Sequence, residues 1–168
     1  LDLHTAVLLW RTDSGTHLRI SELVTDSSDI VEGPFALGDG VFGAAITAQK
    51  PLCLADLRPS THLPYYGGPC PVGSACVLPV FEHGKVRGVF VADRTRPDPF
   101  QPREVAMLEE AARYAVRTIH NERVFLQLER AKAEQGKLYR AAEALSASKT
   151  EAEVISAGIH SAREITSV

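Results

Sequence analysis

The sequence predicts an α+β domain: an antiparallel sheet flanked by helices, with a long C-terminal helix extending from it. Three observations carry this. Two pairs of β-prone runs, 5–11 with 17–24 and 74–81 with 85–92, are each joined by a short turn. A middle stretch, 38–72, holds one short helical pattern followed by a loop. A helical pattern then runs from Pro102 to about Leu145.

Each element has a local reason. Thr5 to Arg11 (TAVLLWR) is apolar and β-prone, and TDSG at 12–15 is a turn signal. His17 to Val24 alternates through Leu18 and Ile20 as a return strand. Residues 25–40 are rich in Asp, Ser, Gly and Pro and are expected as loop. Val41 to Gln49 reads as a short helix and Pro51 to Leu54 as a short buried strand. From Ala55 to Val72 four prolines and two glycines leave no period, and loops of that length inside a domain tend to carry function. Ser74 to Phe81 and Lys85 to Ala92 form a hairpin about EHGK, 82–85. Pro79 cannot donate to a ladder, so it belongs at an edge or bulge. Pro102 suits the first turn of the helix that follows.

Composition excludes several classes. At 168 residues the chain holds one domain of ordinary size plus an appendage. Its 45% hydrophobic and 23% charged residues are the balance of a globular domain, not of a disordered chain. A net charge of −3 offers no basic face for nucleic acid. No apolar run reaches membrane-span length and no signal peptide is visible, so no membrane contact is expected of this stretch. Cys53, Cys70 and Cys76 are odd in number and lack C-x-x-C spacing, which argues against a disulfide framework and for a reducing, cytoplasmic setting. The histidines at 4, 17, 62, 83, 120 and 160 show no ligand spacing, and no metal is expected.

Val105, Leu108, Ala112, Ala115, Ile119 and Leu126 occupy a and d positions of a heptad. Glu122 and Glu129 interrupt that seam, and Leu138, Ala142 and Leu145 resume it out of phase. A continuous helix here spans roughly 65 Å, too long for one small domain to bury, so its distal half needs a partner. A homodimer through the 103–145 helix is the simplest arrangement; two helices folded on one domain is the alternative. Thr150 and Glu153 then form a capping box ahead of Val154, Ile155 and Ile159, an apolar stripe on another helix.

Three stretches, in order, resemble a GAF domain, a small-molecule-sensing module of signalling proteins, and make the fold GAF/PAS-like. They are GDGVFGAAITAQKPLCLADL (38–57), SACVLPVFEHGKVRGVFVADR (74–94) and FQPREVAMLEEAARYAVRTIHNERVFLQL (100–128). In the second, Ser74, Pro79 and the Gly88–Val89 pair stand where the family places them. The resemblance implies a pocket between one sheet face and the middle segment, near 35–76. There Phe42, Asp56, His62, Tyr65, Tyr66 and Cys76 could surround a small molecule. Equally, Tyr65 and Tyr66 could cap the core with their hydroxyls in water. It divides the chain into a GAF domain at 1–128, whose usual first helix is missing, a helical signalling linker at 129–149, and the start of a following domain at 150–168.

Several specific chemistries fit poorly. GDGVFG matches G-x-G-x-x-G, but no long strand precedes it, Asp39 lies within it, and hairpins follow, so the glycines are expected to let a short helix pack closely. Sulfoxide-reducing relatives of the family use pocket cysteines, one of which would fall near Phe42; Cys70 is the more exposed thiol expected here. Bilin-binding relatives carry Cys-His-Leu where this chain has Thr61, His62 and Leu63. The cyclic-nucleotide pattern survives only in part, as Asp93-Arg94, Phe100 and Arg103-Glu104. No cofactor is assigned. The resulting expectation is a non-enzymatic sensor and dimerisation module, binding a small molecule or partner and relaying its state through paired helices. Its output domain would be a diguanylate cyclase or a two-component histidine kinase. A ligand-free dimerisation domain is the alternative, and a cysteine-dependent sulfoxide reductase the third reading.

Overall fold

Six strands hydrogen-bond in the order β3-β2-β1-β6-β5-β4, every neighbouring pair antiparallel. The computed structural model describes residues 1–38, 40–58, 63–69 and 71–166. The strands are β1 (Thr5–Arg11), β2 (His17–Thr25), β3 (Phe35–Ala36), β4 (Leu52–Leu54), β5 (Ser74–Glu82) and β6 (Lys85–Arg94). The helices are α1 (Gly40–Ala48), α2 (Pro102–Ala147) and α3 (Glu151–Thr166). The antiparallel α+β architecture is the one the sequence predicts. β3 is an addition: two residues of the expected loop pair with His17 and Leu18 at the start of β2.

Strand alternation sends successive side chains to opposite faces, and both faces are covered. On one, Val7, Leu9, Leu18, Ala75, Val77, Val89 and Val91 pack against Phe42 and Ala45 of α1 and against Leu63, Tyr65, Tyr66 and Val72. On the other, Cys76, Leu78 and Ala92 pack against Phe100 and against Val105 and Leu108 of α2. We refer to these as the α1 face and the α2 face.

The turn chemistry follows the sequence. His83 and Gly84 both adopt positive φ, 50° and 74°, as a two-residue hairpin turn of the primed type requires. Pro79 lies beyond the end of β4, which pairs only with Ala75 to Val77, and a bulge follows at Val80/Phe81; this is the edge position expected for a proline. Gly43 is buried, and a Cβ there would strike the Gly38 carbonyl oxygen. The glycines of GDGVFG thus seat a short helix against its own entry turn, as expected.

One sequence expectation is corrected. The cysteines are not all free: Cys53 of β4 and Cys76 of β5 stand directly opposite in the register and form a disulfide. Cysteine spacing along the chain does not reveal this, because the contact comes from strand pairing. The near end of the heptad seam packs on its own domain. Leu108 and Ala112 are buried, and Val105 packs on the α2-face core, so the first turns of that seam serve the sheet rather than a partner.

The chain forms two compact units, Leu1–Arg117 and Thr118–Val168, and α2 runs through the boundary as one 46-residue helix. In the second unit the predicted capping box is present: the Glu153 amide donates to Thr150 Oγ1 at 3.3 Å and the Thr150 amide to Glu153 Oε2 at 3.2 Å. Among the described residues no helix is long and apolar enough to cross a membrane.

Two glycine substitutions should separate close packing from propensity. At Gly88 of β6 a Cβ would collide with the Leu9 carbonyl oxygen of β1, so Gly88→Ala is expected to lose about 1–3 kcal/mol or more. At Gly158 of α3 a Cβ meets nothing within 4 Å, so Gly158→Ala should be neutral or gain up to about 1 kcal/mol. Urea denaturation of both variants checks the contrast.

Candidate functional site

The α1 face is closed by aromatic side chains. Phe42 from α1 stacks nearly parallel to Tyr65, with centroids 6.3 Å apart and planes inclined by 9°, and Phe35 meets Phe42 edge-on at 6.1 Å. Tyr65 and Tyr66 lie 4.8 Å apart. Phe42 and Tyr65 are fully buried and Tyr66 is 4% exposed, so they fill the space between α1 and the sheet.

Their hydroxyls are not in water. Tyr65 Oη donates to Asp93 Oδ2 at 2.6 Å and Tyr66 Oη donates to the same oxygen at 2.9 Å. Having given its only proton to Asp93, Tyr66 must accept from Thr5 Oγ1 at 2.6 Å, and Thr5 in turn accepts from Thr25 Oγ1 at 2.7 Å. A directed chain thus runs from β2 through β1 to the 63–66 segment and ends on β6. His4 lies nearly parallel to Tyr66, with centroids 6.4 Å apart. Asp93 Oδ1 and His4 Nε2 are buried without a hydrogen-bond partner among the described residues.

Asp93 is wholly inaccessible. Burial pushes its carboxyl above the usual range, while the Tyr65 and Tyr66 hydroxyls and the nearby His4 pull it back. The site can therefore hold a proton or accept a donor at Oδ1. Backbone bonds hold the middle segment further: Val31 N donates to Tyr65 O at 3.0 Å and Leu57 N to Gly73 O at 2.8 Å.

The next residue, Arg94, points to the α2 face and is 4% exposed. Its Nε donates to Ser74 Oγ at 3.0 Å, Nη1 to Glu104 Oε1 at 3.0 Å, and Nη2 to the carbonyls of Asp98 and Pro99, both at 3.0 Å. The guanidinium also lies 4.3 Å over the Phe100 ring. Glu104 Oε2 accepts the Gln101 amide at 2.7 Å and so caps α2. That bond first, and Arg94 after burial, leave the Glu104 carboxyl below its usual range. The Asp93-Arg94, Phe100 and Glu104 positions seen in the sequence thus divide: Asp93 holds the tyrosines, and the others clamp the start of α2.

The GAF family model matches residues 1–119. The chain belongs to the GAF domain family. GAF domains are sensor and regulatory folds of signalling proteins. The GAF domain of a phosphoenolpyruvate-protein phosphotransferase from Coxiella burnetii superposes with a TM-score of 0.60 at 19% identity, covering 73% of this chain and 74% of that one. The GAF domain of a two-component sensor histidine kinase from Bacillus halodurans gives 0.58 at 14% identity, covering 74% and 86%. A type II free methionine-R-sulfoxide reductase from Thermoplasma acidophilum gives 0.55 at 19% identity, covering 66% and 74%. Sensor modules and enzymes thus share the fold. No curated protein sequence matches the chain.

The pocket residues expected of a GAF domain are only partly brought together. Phe42, Tyr65 and Tyr66 converge on the α1 face. Cys76 does not join them: it lies on the α2 face with Leu78 and Leu108, because odd and even positions of β5 face opposite ways. Asp56 is exposed, with φ of +52°, and its amide donates to Pro97 O at 3.0 Å. His62 and Cys70 fall outside the described residues. Thr5 and Thr25 carry no sequence signal for this role, His4 stands in the sequence only as one of six histidines without ligand spacing, and Asp93 only as a mismatch to a ligand pattern. An acid at the end of the apolar run GVFVAD was the available signal.

Two clefts lie elsewhere in the first unit. One of about 310 Å³ opens on the α2 face between Pro51, Val80, Phe81, Arg113 and Val116. The other, about 530 Å³, lies over Ile20, Leu23 and Ile30 between Arg19 and Glu32. Neither is lined by the expected pocket residues.

Burial of Asp93 fixes the sign of a pH effect. Its pKa is raised from 3.8 in the folded state, so its stabilising contribution is full below 3.8 and is lost as pH rises through the folded value. Asp93→Asn removes that titration. Relative to wild type, the variant should gain stability in urea denaturation as pH rises from 3.8 through the folded Asp93 value; a parallel pH dependence in the two proteins would contradict the assignment.

Proposed function

We propose that this GAF domain is a regulatory relay that pairs with a second copy through α2 and transmits changes at the Tyr65–Tyr66–Asp93 cluster to that helix. One observation carries the reading: Asp93 and Arg94, adjacent on β6, hold the α1-face segment on one side and the start of α2 on the other. A shift of β6 that loosens one set of bonds strains the other. A signal acts here only if it favours one arrangement of the pair over the other.

The pairing surface is not the seam facing the sheet. Met107, Tyr114 and Leu128 recur at multiples of seven, as do Phe125 and Tyr139, and all five are more than half exposed. This second seam offers the apolar repeat of a parallel helix pair. The output domain of the signalling protein would receive the change through α2 and α3.

Two observations bear on what the relay senses. The aromatic filling of the α1 face supports control by partner contact, which leaves that face closed. The unpartnered Asp93 Oδ1 and His4 Nε2 support a small ligand with a hydrogen-bond donor. A reductase role has less support: one pocket cysteine of the sulfoxide-reducing relatives would fall near Phe42, and Cys53 and Cys76 are bonded to each other.

Phe125→Glu with Leu128→Glu should convert a dimer of the 168-residue chain to a monomer in sedimentation velocity; a wild-type monomer at high concentration would remove the pairing. Tyr65→Phe deletes one donor to a buried carboxylate and should cost about 1–3 kcal/mol. If the two faces are coupled, it should also speed amide exchange at Val105–Leu108, and unchanged protection there would refute the coupling.

A further inference from the structure

The Cys53–Cys76 bond has no part in the relay described above, yet its position is specific. It ties the exposed Cys53 of the three-residue strand β4 to the fully buried Cys76 of β5. The loop it closes, 23 residues apart in sequence, contains Leu63, Tyr65, Tyr66 and Val72, four of the side chains that close the α1 face. β4 itself is held to the sheet by pairing at only Leu52, Cys53 and Leu54, and it is an edge strand. The disulfide is thus a covalent clasp at the base of the segment that carries both tyrosine ligands of Asp93.

The two sulfurs differ in access. Cys76 sits among Leu78, Ala92, Phe100 and Leu108 and is out of reach of solvent. Cys53 is an exposed residue on the outer strand. An incoming thiolate can therefore approach only the Cys53 sulfur, and Cys76 is the leaving group.

We propose that Cys53–Cys76 is a thiol–disulfide exchange site for a dithiol reductant, and that its redox state sets how firmly Leu63, Tyr65 and Tyr66 are held on the sheet. In the forward direction one thiolate of the reductant attacks Cys53 Sγ, the Cys53–Cys76 bond breaks, and Cys76 takes up a proton as a buried neutral thiol. The second reductant thiol then attacks the mixed disulfide. This releases Cys53 as a thiol, and the reductant leaves as its own disulfide. Two electrons and two protons pass to the protein. In a compartment rich in dithiols, bonds of this kind act as sensors rather than fixtures. The proposal holds whether or not α2 pairs.

The test uses the full 168-residue chain with Cys70→Ser, so that no other cysteine can enter the bond. The oxidised and the dithiothreitol-treated forms are compared by alkylation mass, thermal unfolding and amide exchange. The oxidised form should take up no alkyl group when unfolded without reductant, and the reduced form two. Reduction should lower Tm by roughly 10 °C, the scale for opening a loop of this size in a domain of this size. The amides of Leu63, Tyr65, Tyr66, Gly67 and Gly68 should exchange at least about tenfold faster in the reduced form. A further Cys53→Ser change, at an exposed position, should behave like the reduced form with or without dithiothreitol. Two free thiols after oxidation of the folded protein would overturn the site. Equal Tm and equal exchange in the two redox forms would overturn its control of the segment.

Discussion

The end of β6 is where the two halves of the domain meet. Because consecutive strand residues face opposite ways, Asp93 and Arg94 bind different layers from adjacent Cα positions. Asp93 gathers two tyrosine hydroxyls from the α1 face, and Arg94 gathers Ser74, Glu104 and two loop carbonyls on the α2 face. Neither charge is tolerable alone at such depth; each is held by hydrogen bonds that also fix a neighbouring segment. The middle segment and the start of α2 are therefore placed by the same two residues.

The same arrangement explains why the α1 face is closed. Tyrosines are brought inward only where their hydroxyls find partners, and Asp93 with Thr5 supplies them. Once Tyr65 and Tyr66 are committed to the carboxylate, their rings meet at a tilt, Tyr65 stacks on Phe42, and together they fill the volume beside α1. Among the described residues, one carboxylate oxygen of Asp93 and one imidazole nitrogen of His4 stay without a partner there. The face thus combines a packed apolar wall with unused polar capacity at one end. A GAF domain that admits a ligand here would have to move its own aromatic side chains.

Much of the architecture was legible in the sequence. The two hairpins, the 82–85 turn, Pro79 at an edge, the long helix beginning at Pro102 and the Thr150–Glu153 cap all rest on local rules, and these act within a few residues. The site was legible in part. Phe42, Tyr65 and Tyr66 could be named because aromatic residues near a glycine-rich turn and a long loop point to one neighbourhood. Cys76 turns to the α2 face, because strand membership is local but register phase is not. Asp56, which the GAF resemblance puts in the pocket, is exposed and has a positive φ.

The sequence by itself determined the order and kind of elements, the family, and a long helix opening at Pro102. Those follow from periodicity, turn residues and motif order, which are properties of neighbouring residues along the chain. Only the tertiary structure decided that Cys53 meets Cys76, that the Val105–Leu108–Ala112 seam is used on the sheet, and that Asp93 lies under two tyrosines. Each of these depends on strand register or on which face a residue points to. A shift of one position in a strand reverses the face, and the linear pattern alone does not fix that shift.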